Sequence, residues 1–295
     1  MKKKKRPFLA VLLPALLIAI SLSAVYLLFL KRDMGVAPKR PAIGFTPAAV
    51  KKVPRKHTDG ADMGMPLEIG VNKASWRPKV AIIIDDLGYH RDLDLQFIRL
   101  DLPLSFAILP WAPFTKAATQ EASGRGREIL LHQPMEPRDY PCIEPGVGAL
   151  LLSMDEALLK GTLHKNLRQV PGARGVNNHM GSSFTENRGK MSMVLRELKK
   201  LGLFYVDSRT TNETVGLEEA KKIGVPAAER TIFLDNNPAR EAISGQIRKL
   251  MMAAKRSGSA IGIGHPYGQT VDMIRKYQNA LKREVFLVPV SELVR

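Results

Sequence analysis

Several apolar runs in this 295-residue chain break off into residues that can do chemistry. Val80-Ala81-Ile82-Ile83-Ile84 ends in Asp85-Asp86, Glu128-Ile129-Leu130-Leu131 in His132, and 174–176 in Asn177-Asn178-His179. Further on, Leu203-Phe204-Tyr205-Val206 runs into Asp207-Ser208-Arg209, 231–234 into Asp235-Asn236, and 259–263 into Gly264-His265-Pro266. One Asp and two His make an ordinary set for a Zn²⁺ ion that keeps a position open for water or substrate. Such an ion lowers the pKa of its water towards about 7 and polarises a carbonyl. A second carboxylate can then take a proton from the water, and a histidine across the pocket can protonate a leaving group. That combination hydrolyses an amide or an ester. Cys142 is the only cysteine, so no intrachain disulfide and no thiolate cluster can form. Any metal must sit on His, Asp or Glu.

For these residues to meet, the strands that carry them must end on one face. Short apolar runs predict strands at 80–84, 104–109, 128–132, 174–178, 203–207, 231–234, 259–264 and 285–289. Amphipathic segments between them predict helices at 91–100, 114–124, 154–169, 188–201, 216–223, 238–256 and 270–283. Ser153-Met154-Asp155-Glu156 reads as a capping box, and Gly202 and Gly224 stand where helices should stop. Such alternation means a parallel sheet, either a barrel or a doubly wound open sheet, and seven or eight units favour a (β/α) barrel, whose strand C-termini share the catalytic face. The Pro/Gly-rich loop 138–150 is long enough to suggest a functional role.

Two adjacent carboxylates at the end of a buried strand are costly unless a cation or a proton compensates them. On an extended chain Asp85 and Asp86 point in opposite directions, so they are expected to do different jobs. Trp111 follows the second strand on the same face and can stack on a sugar ring or pack a loop. His57, His90 and His164 read as linker, helix-start and mid-helix residues with no chemical role.

The chain before residue 79 looks different. Five basic residues, 2–6, precede the uncharged apolar run 7–30, which at 1.5 Å per residue spans roughly 36 Å, enough for a bilayer core. We expect residues 1–32 to form an uncleaved single-pass signal anchor in the cytoplasmic (inner) membrane, with the folded part extracytoplasmic, that is periplasmic. Residues 33–78 are basic and Pro-rich and read as a disordered linker, and 79–295 as the folded domain. Residues 1–78 hold 15 Lys/Arg against 4 Asp/Glu, and 79–295 hold 30 against 24. Most of the excess positive charge therefore lies beside the expected membrane span, where anionic headgroups attract it. A mildly basic folded part without a binding motif excludes nucleic acid as the partner.

Taken together, Ile84-Asp85-Asp86-Leu87-Gly88, His132-Gln133-Pro134-Met135-Glu136-Pro137, Asn178-His179-Met180-Gly181-Ser182, Val206-Asp207-Ser208 and Gly264-His265-Pro266 resemble the divergent polysaccharide deacetylase family. These proteins are relatives of the carbohydrate esterases with a NodB-homology domain, and the resemblance covers 79–295. It implies a deformed (β/α) barrel of seven or eight units, with Asp85 as catalytic base, Asp86 as metal ligand and His265, in the late Leu-x-His position, as general acid. By the same resemblance His132 would be the second ligand. The family's His-x-x-x-His spacing reads His132-x-x-x-Glu136 here, so the third ligand is either Glu136 or His179. His179 follows a strand directly and is preferred; Glu136 lies between Pro134 and Pro137. The family's Arg-Pro-Pro-Tyr motif, which orients the base, has no counterpart, leaving Asn178, Asp207 or Arg209 for that task, with Asp235 also near the site. The resemblance implies a metal-dependent removal of acetyl groups from a cell-envelope or exported polysaccharide, with Zn²⁺ as the expected divalent ion. The alternative is a non-catalytic barrel that binds glycan or an envelope protein.

Overall fold

Nine strands and eight α-helices alternate along residues 77–295, the part of the chain that this computed structural model describes. They run β1 (Lys79–Leu87), α1 (Arg91–Ile98), β2 (Ser105–Ile108), α2 (Thr115–Gly124), β3 (Glu128–Met135) and α3 (Glu156–Gln169). There follow β4 (Gly175–Met180), α4 (Ser182–Glu186), α5 (Arg188–Leu201), β5 (Phe204–Asp207), α6 (Gly216–Ile223) and β6 (Ala227–Glu229). The chain closes with β7 (Ile232–Phe233), α7 (Arg240–Ser257), β8 (Ser259–Gly264), α8 (Gly268–Glu284), β9 (Phe286–Leu287) and a 3₁₀ turn, Val290–Glu292. The expected anchor, and all but the last two residues of the expected linker, lie outside the described residues. Among the described residues no helix is long and apolar enough to cross a membrane.

Every strand pairing is parallel, in the order β6-β5-β4-β3-β2-β1-β8-β7, with β9 beside the start of β1. The sheet curls but does not close, so the expected barrel is a curled half-barrel with a seam between β6 and β7. The reason is local. Only Arg230 and Thr231 separate these two strands, and parallel pairing needs a crossover of a dozen or more residues. The outer edge of β6 is instead covered by the C-terminus, through Ala227 N–H to Arg295 O (2.9 Å) and Arg295 N–H to Ala227 O (3.1 Å). The sequence predicts neither β6 nor α4, each too short to show a period. Helix α3 is capped two residues later than expected, by Asp155, whose carboxylate accepts from Leu158 N–H (2.8 Å). Gly202 and Gly224 do end α5 and α6, in left-handed conformations that glycine adopts without strain.

Alternation along each strand divides the core in two. Ile82, Ile84, Phe106, Leu131, Val176 and Tyr205 face the helices in the larger cluster. Ala81, Ile83, Ala107, Leu130, Val206 and Ile263 face inward in a smaller one, which Val290 of the 3₁₀ turn plugs from below. The inner space is narrow. At Gly175 an added Cβ would lie 2.2 Å from the Phe204 ring. Each inward row then continues by one step of two residues into the site: Ile83 to Asp85, Leu130 to His132, Gly175 to Asn177, Val206 to Ser208 and Ile263 to His265.

Candidate metal centre

Asp85 and Asp86 do not diverge as an extended strand would require. The β1–β2 register slips by one residue between Ile84 and Leu87, and Asp86 takes a left-handed φ of +58°. This bulge turns Asp86 back so that both carboxylates face the same histidine. His132 Nε2 is 3.0 Å from Asp86 Oδ1 and 3.7 Å from Asp85 Oδ2. Other non-glycine residues with positive φ are Trp111, Met180 and Arg209, all just beyond or at the C-terminal ends of strands. Backbone strain of this kind collects where a site over-determines the chain.

His132 and Asn177 are register partners on β3 and β4, and Asn177 ties two parts of the site together. Its Nδ2 donates to Asp85 Oδ1 (2.8 Å) and Ser208 Oγ (3.3 Å), which makes its Oδ1 the acceptor facing His132 Nδ1 at 2.9 Å. The neutral His132 ring therefore carries its proton on Nδ1 and presents its lone pair at Nε2. That lone pair faces Asp86 Oδ1 and His179 Nδ1, the latter at 3.1 Å, and His179 Nδ1 is 2.8 Å from Asp86 Oδ1. The two rings meet edge to face at 4.9 Å.

Asp86, His132 and His179 thus form a triad whose ligand atoms all lie within 4.8 Å of one another. Asp86 Oδ1 is buried and receives no hydrogen bond of acceptable direction, although two ring nitrogens stand within 3.0 Å of it. Two imidazole nitrogens and a carboxylate oxygen crowded this closely are what a cation resolves. Ligand lengths of about 2.0–2.2 Å let one divalent ion reach all three atoms. The donor set and the orphaned oxygen therefore fit a divalent metal. Burial alone would raise the pKa of Asp86, but the closeness of His132 and His179 outweighs it and holds that carboxyl well below the usual range. Burial disfavours a charge on His132, yet Asp85 and Asp86 raise its pKa above the ordinary value. Asp85, only 2 % exposed, goes the other way: burial pushes its carboxyl up against the pull of His132 and His265. The two neighbours are electrostatically distinct.

Across the site His265 is gripped by Asp235, which lies just past β7. Asp235 Oδ1 accepts from His265 Nδ1 (2.8 Å), and Oδ2 accepts from His265 N–H (2.6 Å) and Thr270 Oγ1 (2.7 Å). Burial works against the imidazolium, but the Asp235 hydrogen bond and charge, aided by Asp85 and Asp86, raise its pKa to about 9. Phe233 stacks on the His265 ring at 5.8 Å and carries the Arg230 guanidinium on its ring, 3.6 Å from the centroid. His265, Asp86 and His179 line one cavity of about 220 Å³, together with Tyr89, His90, Leu109, Val147 and Tyr267 among others.

The remaining sequence-predicted residues fall elsewhere. Glu136 Oε2 accepts from Leu152 N–H (2.7 Å) and anchors the long loop; it is His179, not Glu136, that the structure brings to Asp86 and His132. Asn178 and Asp207 lie on the outward side of their strands. Asn178 Oδ1 accepts from Tyr205 OH (3.0 Å) and Ser208 N–H (2.9 Å), and Asp207 accepts from Arg209 N–H (2.8 Å) and Thr214 Oγ1 (2.7 Å). Arg209 pairs with Glu229 at 3.3 Å. None of the three touches Asp85, and the group that does is Asn177. His90, read from sequence as a helix-start residue without a chemical role, lines the cavity. His164 does pair off as such a residue would, with Glu197 at 2.9 Å. Trp111, 44 % exposed, follows Leu109 and Pro110, which line the cavity.

Comparison with known proteins places this arrangement. The chain is 36% identical to an uncharacterized protein of Haemophilus influenzae over 217 residues, covering 74% of this chain and 77% of that one. It is 33% identical to the uncharacterized protein YibQ of Escherichia coli over 216 residues, covering 73% and 67%. Among solved structures, the uncharacterized protein ATU2773 of Agrobacterium tumefaciens superposes with a TM-score of 0.71 at 28% identity, covering 75% of this chain and 91% of that one. The profile of the family described as Divergent polysaccharide deacetylase matches residues 82–294, nearly the whole of the described fold. The chain belongs to the divergent polysaccharide deacetylase family.

Proposed function

We propose that this protein is a metal-dependent hydrolase that removes acetyl groups from a cell-envelope or exported polysaccharide. The observation that carries the reading is the pairing of two unlike carboxylates with the histidines: Asp86 joins His132 and His179, while Asp85 stays on Asn177. Asp86, His132 and His179 would hold a divalent ion, with Zn²⁺ the best match to one carboxylate and two imidazoles. When bound, that ion supplies Lewis-acid polarisation of the acyl carbonyl and of water. Asp85, with a raised pKa and one oxygen fixed by Asn177 Nδ2, takes the proton from the attacking water. His265, held through Nδ1 by Asp235, delivers a proton from Nε2 to the departing amine or alkoxide. Release of acetate from acetylated chitooligosaccharides or peptidoglycan fragments tests the reading. No release from either, with metal loaded, would contradict it.

The Asp235–His265 pair makes the pH dependence specific. His265 is protonated below its pKa of about 9, so the acid form is present at neutral pH and is lost as pH rises through that value. Asp235 raises this pKa, and removing its charge must lower it. Asp235→Asn is expected to move the alkaline limb of kcat/KM to lower pH, by about 1–3 units. An unmoved alkaline limb would show that His265 is not the acid.

We also propose that the folded domain works outside the cytoplasmic membrane, tethered by residues 1–32. The uncharged run 7–30, with five basic residues before it and two just after, supports that orientation. Protease added to intact spheroplasts should then digest the folded part, whereas protection until lysis would refute the orientation.

A further inference from the structure

Trp111 adopts a left-handed φ of +63°, rarely tolerated by a bulky residue, and yet its indole is not buried. The ring is held by its edge. Nε1–H donates to Asn166 Oδ1 at 2.7 Å, and Asn166, on α3, is fully buried. Asn166 Nδ2 donates to Gln133 Oε1 (2.9 Å) and Gly148 O (2.7 Å), while Gln133 Nε2 donates to Pro134 O (2.8 Å) and Gly148 O (3.0 Å). Every side-chain donor of this trio is used, and the trio ties β3, α3 and the loop before α3 to one exposed ring.

Gly148 shows how closely the parts fit. Its φ is +80°, and an added Cβ would lie 2.3 Å from Asn166 Oδ1 and 2.9 Å from Trp111 Nε1. On both sides the chain leads to the cavity: Leu109 and Pro110, just before Trp111, line it, as do Gly146 and Val147, just before Gly148. A buried tryptophan would suffice to anchor a loop. Here buried polar groups and backbone strain fix a ring that stays 44 % exposed, near a cavity whose lining among the described residues holds no Lys or Arg.

Resting on the glycan reading above, we propose that Trp111 is the stacking platform of a second sugar subsite. The site would then take neutral acetylated chains of two or more rings in preference to a free monosaccharide. The apolar face of a pyranose ring suits an indole fixed in this way. The positioning residues are Asn166 and Gln133, which set the angle of the ring without touching the sugar.

The test measures binding rather than turnover. The full chain carrying Asp85→Asn and Trp76→Phe, which leaves Trp111 as its only tryptophan, is titrated with N-acetylglucosamine and its β-1,4-linked dimer, trimer and tetramer. Trp111 emission should shift to the blue on saturation with the oligomers, and affinity should rise at least about tenfold from monomer to trimer. By calorimetry, Trp111→Ala should lose that gain with length and Trp111→Phe should keep most of it. The proposal is overturned by emission that does not respond, by equal affinity for monomer and trimer, by no saturable trimer binding, or by a gain that survives in Trp111→Ala. Trp111-dependent oligomer binding without acetate release by the Asp85 protein would sink the hydrolytic reading and leave the subsite standing. Equally efficient release from monomer and trimer would do the reverse.

Discussion

Asp85→Asn should lower acetate release by about 10²–10⁴-fold while the protein keeps its fold and its metal. The expected size follows from what the substitution leaves in place. An asparagine oxygen can still accept the Asn177 Nδ2–H bond that Asp85 Oδ1 accepts at 2.8 Å, so the position is not emptied. The three triad atoms belong to other residues and are untouched. Only the ability to take up a proton is lost. This substitution also separates the leading account from a barrel that merely binds glycan. Activity within threefold of the original would mean that Asp85 is not the base. Glycan binding that survives unchanged in a protein with no measurable acetate release, before or after substitution, would favour the binding protein.

The Asp86→Ala/His132→Ala protein should lose transition metal and acetate release together. Asp86 Oδ1 is the atom that both histidines approach, at 2.8 and 3.0 Å, and His132 contributes the one lone pair whose direction a neighbour fixes. Removing both leaves His179 alone, a single exchangeable ligand. Elemental analysis of the purified protein should find about one transition-metal ion per chain before substitution and background levels afterwards. Equal, negligible metal in both proteins would remove the basis for the hydrolytic account.

Much of the fold could be read from the chain because its signals are periodic. Runs such as Val80–Ile84 and the stripe of Met191, Val194, Leu195, Leu198 and Leu201 predict strand and helix by the spacing of apolar residues, and all are buried except Leu201, which is exposed at the last residue of α5. The open seam was not legible, because it follows from β6, whose three residues are too few to carry a period. The site divides on the same principle. Counting by twos from the inward residues Gly175 and Val206 reaches Asn177, His179 and Ser208, and skips Asn178 and Asp207. Period-two counting would thus have picked Asn177 over Asn178 as the partner of Asp85. It cannot place Asp86, whose orientation depends on the bulge and left-handed turn at the end of β1. Nor can it place Trp111, since the bond to Asn166 joins residues 55 apart in sequence.

Anomalous diffraction from crystals of the metal-loaded protein tests the central claim most directly. The account predicts one strong peak at the absorption edge of a transition metal, bounded by Asp86 Oδ1, His132 Nε2 and His179 Nδ1, with Asp85 beside it and still on Asn177. No peak there, or a peak ligated through Glu136 in place of His179, would contradict it.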